Sequence, residues 1–120
     1  MKVNNLTNIR IMYWKEIPVQ IQASNSKTTK NYQLPEKFQE SVDKVAMFDG
    51  SYGSDSYLDG WSYGPIKNIN LDIDNAISKI SEKFETFDGD IVQIISKKWK
   101  NNTRNESPGS LNYLFDIEGL

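Results

Sequence analysis

The sequence contains neither cysteine nor histidine in its 120 residues. Their absence excludes thiolate nucleophiles, imidazole general bases, the Ser-His-Asp relay and zinc sites built from Cys and His. It also excludes a disulfide framework. Because most familiar catalytic side-chain sets are missing, we expect a protein that is not an enzyme and that acts by binding other molecules.

The chain also lacks a long apolar run and a strong charge of either sign. No stretch approaches the roughly 20 consecutive apolar residues that span a bilayer, and residues 1–6 lack the apolar run of a secretory signal. The 14 basic and 16 acidic residues give a net charge of −2, which is too small to attract nucleic acid or membranes indiscriminately. We expect a cytoplasmic protein without membrane contact, and we do not expect nucleic acid as its main partner.

The hydrophobic pattern of the first third of the chain indicates strands. Apolar residues alternate with polar ones over residues 9–14 and again over 19–23, as in strands with one buried face. Pro18 has no amide hydrogen to donate and should lie at a bulge, an edge or a break. Turn residues at 24–26 then make residues 19–33 a predicted hairpin.

The rest of the chain favours helices, so that the predicted fold class is α+β. Segments 35–49, 73–87 and 91–99 have the apolar spacing of amphipathic helices, although a buried strand also fits the third. We expect a small, mostly antiparallel sheet, made of the hairpin and one or two further strands, packed against two to three helices. Residues 1–100 form the predicted domain, and residues 101–120 are predicted to be a flexible linker and an apolar tail that docks on the body or on another chain.

Four short motifs give the chain a family resemblance. They are Tyr-Trp-Lys-Glu-Ile-Pro at 13–18, Leu-Pro-x-x-Phe at 34–38, Ala-Met at 46–47 and Tyr-Leu-x-x-Trp at 57–61. With them the chain resembles the small bacterial virulence factor domain family, whose biochemical activity is undefined. Relatives encoded beside corrinoid and tetrahydrofolate methyl-transfer proteins imply an alternative role, as an accessory protein or subunit for that methyl transfer.

Two aromatic segments are candidate partner-binding sites. The triplet 14–16 sets a cation and an acid beside an indole, and the loop 49–57 has the tyrosine, serine and glycine composition of recognition loops. The predicted partner-binding residues are Trp14, Lys15, Glu16, Tyr52, Asp55, Tyr57 and Trp61. The alternative for the triplet is plain packing with solvated charges, and for the loop it is an aromatic cluster that folds inward.

We predict no catalytic, cofactor-binding or metal-binding residues. The acids of the loop lack the ligand spacing of an EF-hand, and helix capping or a solvated helix face accounts for the paired carboxylates elsewhere. The basic segment 97–104, which contains Trp99, leaves a weak RNA binder as a further alternative. The favoured function is a non-enzymatic accessory module that acts through protein–protein contacts.

Overall fold

The computed structural model describes residues 6–117, which form one antiparallel sheet with helices packed against it. The strands are β1 (Leu6–Trp14), β2 (Ile17–Ser24), β3 (Thr29–Gln33), β4 (Trp61–Tyr63) and β5 (Lys67–Asn70). The helices are α1 (Glu36–Asp49), α2 (Asp55–Asp59), α3 (Ile73–Glu85), α4 (Ile91–Lys100) and a final 3-10 helix, Asn112–Phe115. This architecture confirms the predicted α+β class.

The order of the strands is β3-β2-β1-β4, and β5 pairs with the other end of β1. The pairing of β2 with β3 confirms the predicted hairpin. The β1–β2 register shifts between Met12 and Tyr13, and Tyr13 lies opposite Pro18. The shift falls at the proline because this residue cannot donate a ladder hydrogen bond, as the sequence predicts.

The predicted helices begin and end at residues whose side chains or backbone suit those positions. Asp72 accepts a hydrogen bond from the amide of Asn75 and so caps α3, and Asp90 caps α4 in the same way. Gly50, with a φ of 84°, ends α1 in the left-handed conformation that glycine adopts without strain. Within residues 6–117, no helix is long and apolar enough to cross a membrane.

The core lies between the sheet and the helices, and the end of the chain contributes to it. Phe38 of α1, Phe84 of α3 and Phe115 pack with ring centroids 5.0–5.7 Å apart. The hydroxyl of Tyr13 donates a hydrogen bond to Asn112, at 3.1 Å. The apolar tail was predicted to dock either on the body of the domain or on another chain. Residues 111–117 pack on the body.

Replacing Phe115 by alanine should lower the free energy of unfolding by about 3–5 kcal/mol, the usual loss for a large aromatic side chain in a core. The matched control is Tyr113→Ala, because Tyr113 is 49% exposed and its loss should change stability by no more than about 0.5 kcal/mol. Urea unfolding measures both variants. If both variants changed the free energy of unfolding by the same small amount, the tail would not be part of the core.

Candidate functional site

The turn between β1 and β2 carries two of the predicted site residues, Lys15 and Glu16. Lys15 has a φ of 50°, and its amide donates to the carbonyl of Gly60 at 2.7 Å. Strand alternation would send the two side chains to opposite faces of the sheet. Because both residues lie in the turn, they join the same group of charges.

At the centre of this group, the guanidinium of Arg104 binds two carboxylates. It donates two parallel hydrogen bonds to Glu16, at 2.8 and 3.0 Å, and a third to Asp49 at 3.1 Å. The three side chains are 7%, 1% and 3% exposed, respectively. Such a planar fork on a carboxylate is the geometry for which arginine is suited and lysine is not.

Lys15 extends the group toward the surface. Its ammonium contacts Asp49 at 2.8 Å, the hydroxyl of Ser51 at 2.7 Å and the half-exposed Glu106 at 3.2 Å. Asp49 also accepts a hydrogen bond from the amide of Ser51 at 2.9 Å. We call Lys15, Glu16, Asp49, Arg104 and Glu106 the charge network. In residues 6–117, no buried side-chain nitrogen or oxygen lacks a hydrogen-bond partner.

The contacts within the charge network favour the charged forms of Asp49 and Arg104. Burial alone would raise the pKa of Asp49, but the hydrogen bonds from Lys15, Ser51 and Arg104 outweigh it, so that the pKa lies below its usual value. Burial would likewise lower the pKa of Arg104, yet the contact with Glu16 raises it. A general acid at neutral pH needs a raised pKa, so Asp49 is suited to a structural ion pair.

These contacts correct two expectations from the sequence. Glu16 is not a solvated charge: it is 1% exposed, because Arg104 neutralises it in the interior. Arg104 in turn does not belong to an exposed basic segment. Nothing local in the sequence indicates this pair, since the two residues are 88 positions apart.

The second group is an aromatic cluster in which Tyr57 is central. Its ring centroid lies 5.8 Å from that of Trp14, 6.4 Å from Tyr52 and 6.1 Å from Trp61. The indole nitrogen of Trp14 donates a hydrogen bond to the carbonyl of Tyr57 at 2.8 Å. Tyr52 is 65% exposed. Leu58, which follows Tyr57 in α2, is 70% exposed. We call Tyr52, Tyr57, Leu58 and Trp61 the tyrosine face.

The structure therefore divides the predicted partner-binding residues into two sets. Trp14 and Glu16 are buried, so in this structure they present almost no surface to a partner and position their neighbours. Tyr52 and Asp55 are exposed, and Lys15, Tyr57 and Trp61 are half-buried. The loop thus combines the two alternatives considered for it: Tyr57 packs inward in an aromatic cluster, while Tyr52 is exposed.

Two open depressions flank Lys15. One, of about 290 Å³, is lined by Asp59 and Glu106 among others, and the other, of about 300 Å³, by Trp99 and Arg104 among others. The cations that border them are already paired with carboxylates. In the part of the chain that the structure describes, no group of three or more acidic side chains is placed to hold a metal ion.

Fold and site together define a small α+β module whose buried charges pair with one another and whose exposed edge is aromatic. The sequence model of the virulence factor family matches residues 12–98, more than half of the chain, and the chain belongs to this family. The resemblance drawn from the four motifs is thus confirmed. No curated protein and no solved structure matches the chain.

Substituting Arg104 by methionine should lower the free energy of unfolding by about 3–5 kcal/mol, because it leaves Glu16 buried without a cation and leaves Asp49 with Lys15 alone. Lys100→Met is the control, since it removes a positive charge from an exposed position nearby and should have little effect. Denaturant unfolding at neutral pH measures both. If both substitutions had the same effect, the charge network would not support the fold.

The lowered pKa of Asp49 predicts a stability that depends on pH. The ionised carboxylate of Asp49 stabilises the folded state at pH values above its ordinary pKa of 3.8. This stabilisation is lost as the pH falls through the lower pKa that Asp49 has in the folded state. Asp49→Asn should therefore be less stable than wild type at pH 7, and the difference should shrink as the pH falls below about 4. Urea midpoints measured across this range check it; a difference that stays constant or grows with acid would contradict it.

Proposed function

We propose that this protein is a non-enzymatic, cytoplasmic accessory module that holds a protein partner on its tyrosine face. The observation that carries the proposal is the exposure of Tyr52 and Leu58 beside rings that are packed on the body. Tyrosine gives a large contact area with few rotatable bonds, and it is enriched where proteins bind one another. Exposed apolar groups set on a firm base are typical of interaction sites.

The base of this face is ordered before any partner arrives. The amide of Tyr52 donates to the carbonyl of Ala46 at 3.0 Å, and the amide of Ser54 donates to the carbonyl of Ser51 at 3.0 Å. Ser51 is in turn bound by Lys15 and Asp49. Because the loop is already held in one conformation, binding loses less conformational entropy, which favours affinity.

The charged groups support binding over catalysis. Each buried carboxylate of the charge network accepts hydrogen bonds from a cation, and the pKa of Asp49 is lowered by those bonds. With its lowered pKa, Asp49 does not act as a proton donor at neutral pH. We therefore assign the network a positioning role.

The two alternatives from the sequence have less support. The RNA alternative depended on segment 97–104, but Arg104 is turned inward, which leaves three lysines at the end of α4. The accessory role in corrinoid or folate methyl transfer stays a prediction from the family resemblance. Adding a corrinoid or tetrahydrofolate and measuring the melting temperature separates it from the protein-binding role.

Replacing Tyr52 and Leu58 by alanine should reduce the amount of partner recovered about tenfold or more, since loss of a central aromatic contact weakens binding by about 1–2 kcal/mol or more. The measurement is affinity purification of the tagged protein at native levels from its host, with recovered proteins quantified. The matched control is Tyr113→Ala/Ile66→Ala, which removes a tyrosine and an aliphatic residue that are 49% and 60% exposed elsewhere.

Both double variants should keep the melting temperature of the wild type, because they change exposed side chains. A partner lost from the first variant and retained by the control supports the proposal. A protein whose recovered partners are the same in all three forms would contradict it.

A further inference from the structure

The acids around the tyrosine face lack basic partners. Asp43, Asp55 and Asp59 are exposed, and no lysine or arginine of the described residues forms an ion pair with them. Other exposed acids do find such partners, for example Asp74 with Lys30 at 2.8 Å. Three solvated carboxylates therefore accompany the exposed rings.

These acids come from two helices beside the rings, α1 and α2. Asp43 of α1 is close enough to Tyr57 that, after burial, its charge is the next cause that raises the pKa of the tyrosine hydroxyl. Asp55 and Asp59 are the first and last residues of α2, which carries Tyr57 and Leu58. Asp59 and the 56%-exposed Glu106 also line the same depression.

The charge network does not balance these acids. It holds three carboxylates against two cations, so its own net charge is negative. The nearest lysines along α1, Lys37 and Lys44, line a different depression together with residues 89–92. The surroundings of the tyrosine face are therefore acidic, although the whole chain has a net charge of only −2.

Aromatic rings edged by carboxylates suit one kind of ligand group. A guanidinium or ammonium stacks on the face of a tyrosine and forms charge-assisted hydrogen bonds with carboxylates at the rim. Arginine suits such a site best, because its planar group does both at once. Phosphate-bearing ligands, by contrast, are repelled by the same carboxylates.

We infer that the partner binds through an arginine- or lysine-bearing segment, whose cations lie on Tyr52 and pair with Asp43, Asp55 and Asp59. This inference rests on the proposed function, because it names the partner of the tyrosine face. The aromatic contacts supply the area, whereas the carboxylates select the charge and speed the encounter. Binding to this face is therefore weakened by salt.

The test uses a phage-displayed library of random twelve-residue peptides, selected on the full-length wild-type protein. We expect the selected peptides to be enriched in arginine and lysine. The affinity of the best peptide, measured by titration calorimetry, should fall about tenfold or more in Asp43→Asn/Asp55→Asn/Asp59→Asn, because three rim ion pairs are lost. The control Glu82→Gln/Glu85→Gln/Asp88→Asn makes the same change in net charge at exposed positions of α3 and the residues after it, and it should bind as the wild type does.

Two results would overturn the inference. If neutral or acidic peptides are selected and Tyr52→Ala/Leu58→Ala abolishes their binding, the partner is not basic and the proposed function stands. If no selected peptide is sensitive to that double variant, the proposed function fails as well.

Discussion

The pairing of Arg104 with Glu16 and Asp49 is the contact on which the shape of the site depends. Taking a charge out of water costs several kcal/mol, so these side chains stay inside only while each has its partner. The contact joins the β1–β2 turn, the end of α1 and the segment after α4. Three parts of the chain that are distant in sequence are thereby held at one point.

The tyrosine face lies directly beside this point. Ser51, the residue before Tyr52, is bound by Lys15 and Asp49, while Trp14, the residue before Lys15, supports the ring of Tyr57. Buried charges therefore set the backbone of the loop, and buried rings set its side chains. The exposed groups that are left, one tyrosine, one leucine and several acids, are what a partner meets.

Much of the fold could be predicted from the sequence because its signals are local. Alternation marked β1 and β2, and the spacing of apolar residues marked α3 and α4. The pair of Glu16 with Arg104 could not be predicted, since no periodicity links residues 88 positions apart. For the same reason the composition of the triplet 14–16 and of the loop 49–57 indicated recognition without showing that Trp14 is buried and Tyr52 is exposed.

Amide hydrogen exchange in Arg104→Lys tests most directly whether the charge network holds the tyrosine face. Lysine keeps the positive charge but cannot donate the same planar fork to two carboxylates. The amides of Tyr52 and Ser54, which are hydrogen-bonded within the loop, should exchange about tenfold faster or more. The amide of Leu34, which donates to Val19 at 3.0 Å, should exchange as in the wild type. Unchanged exchange at Tyr52 and Ser54 would contradict the account.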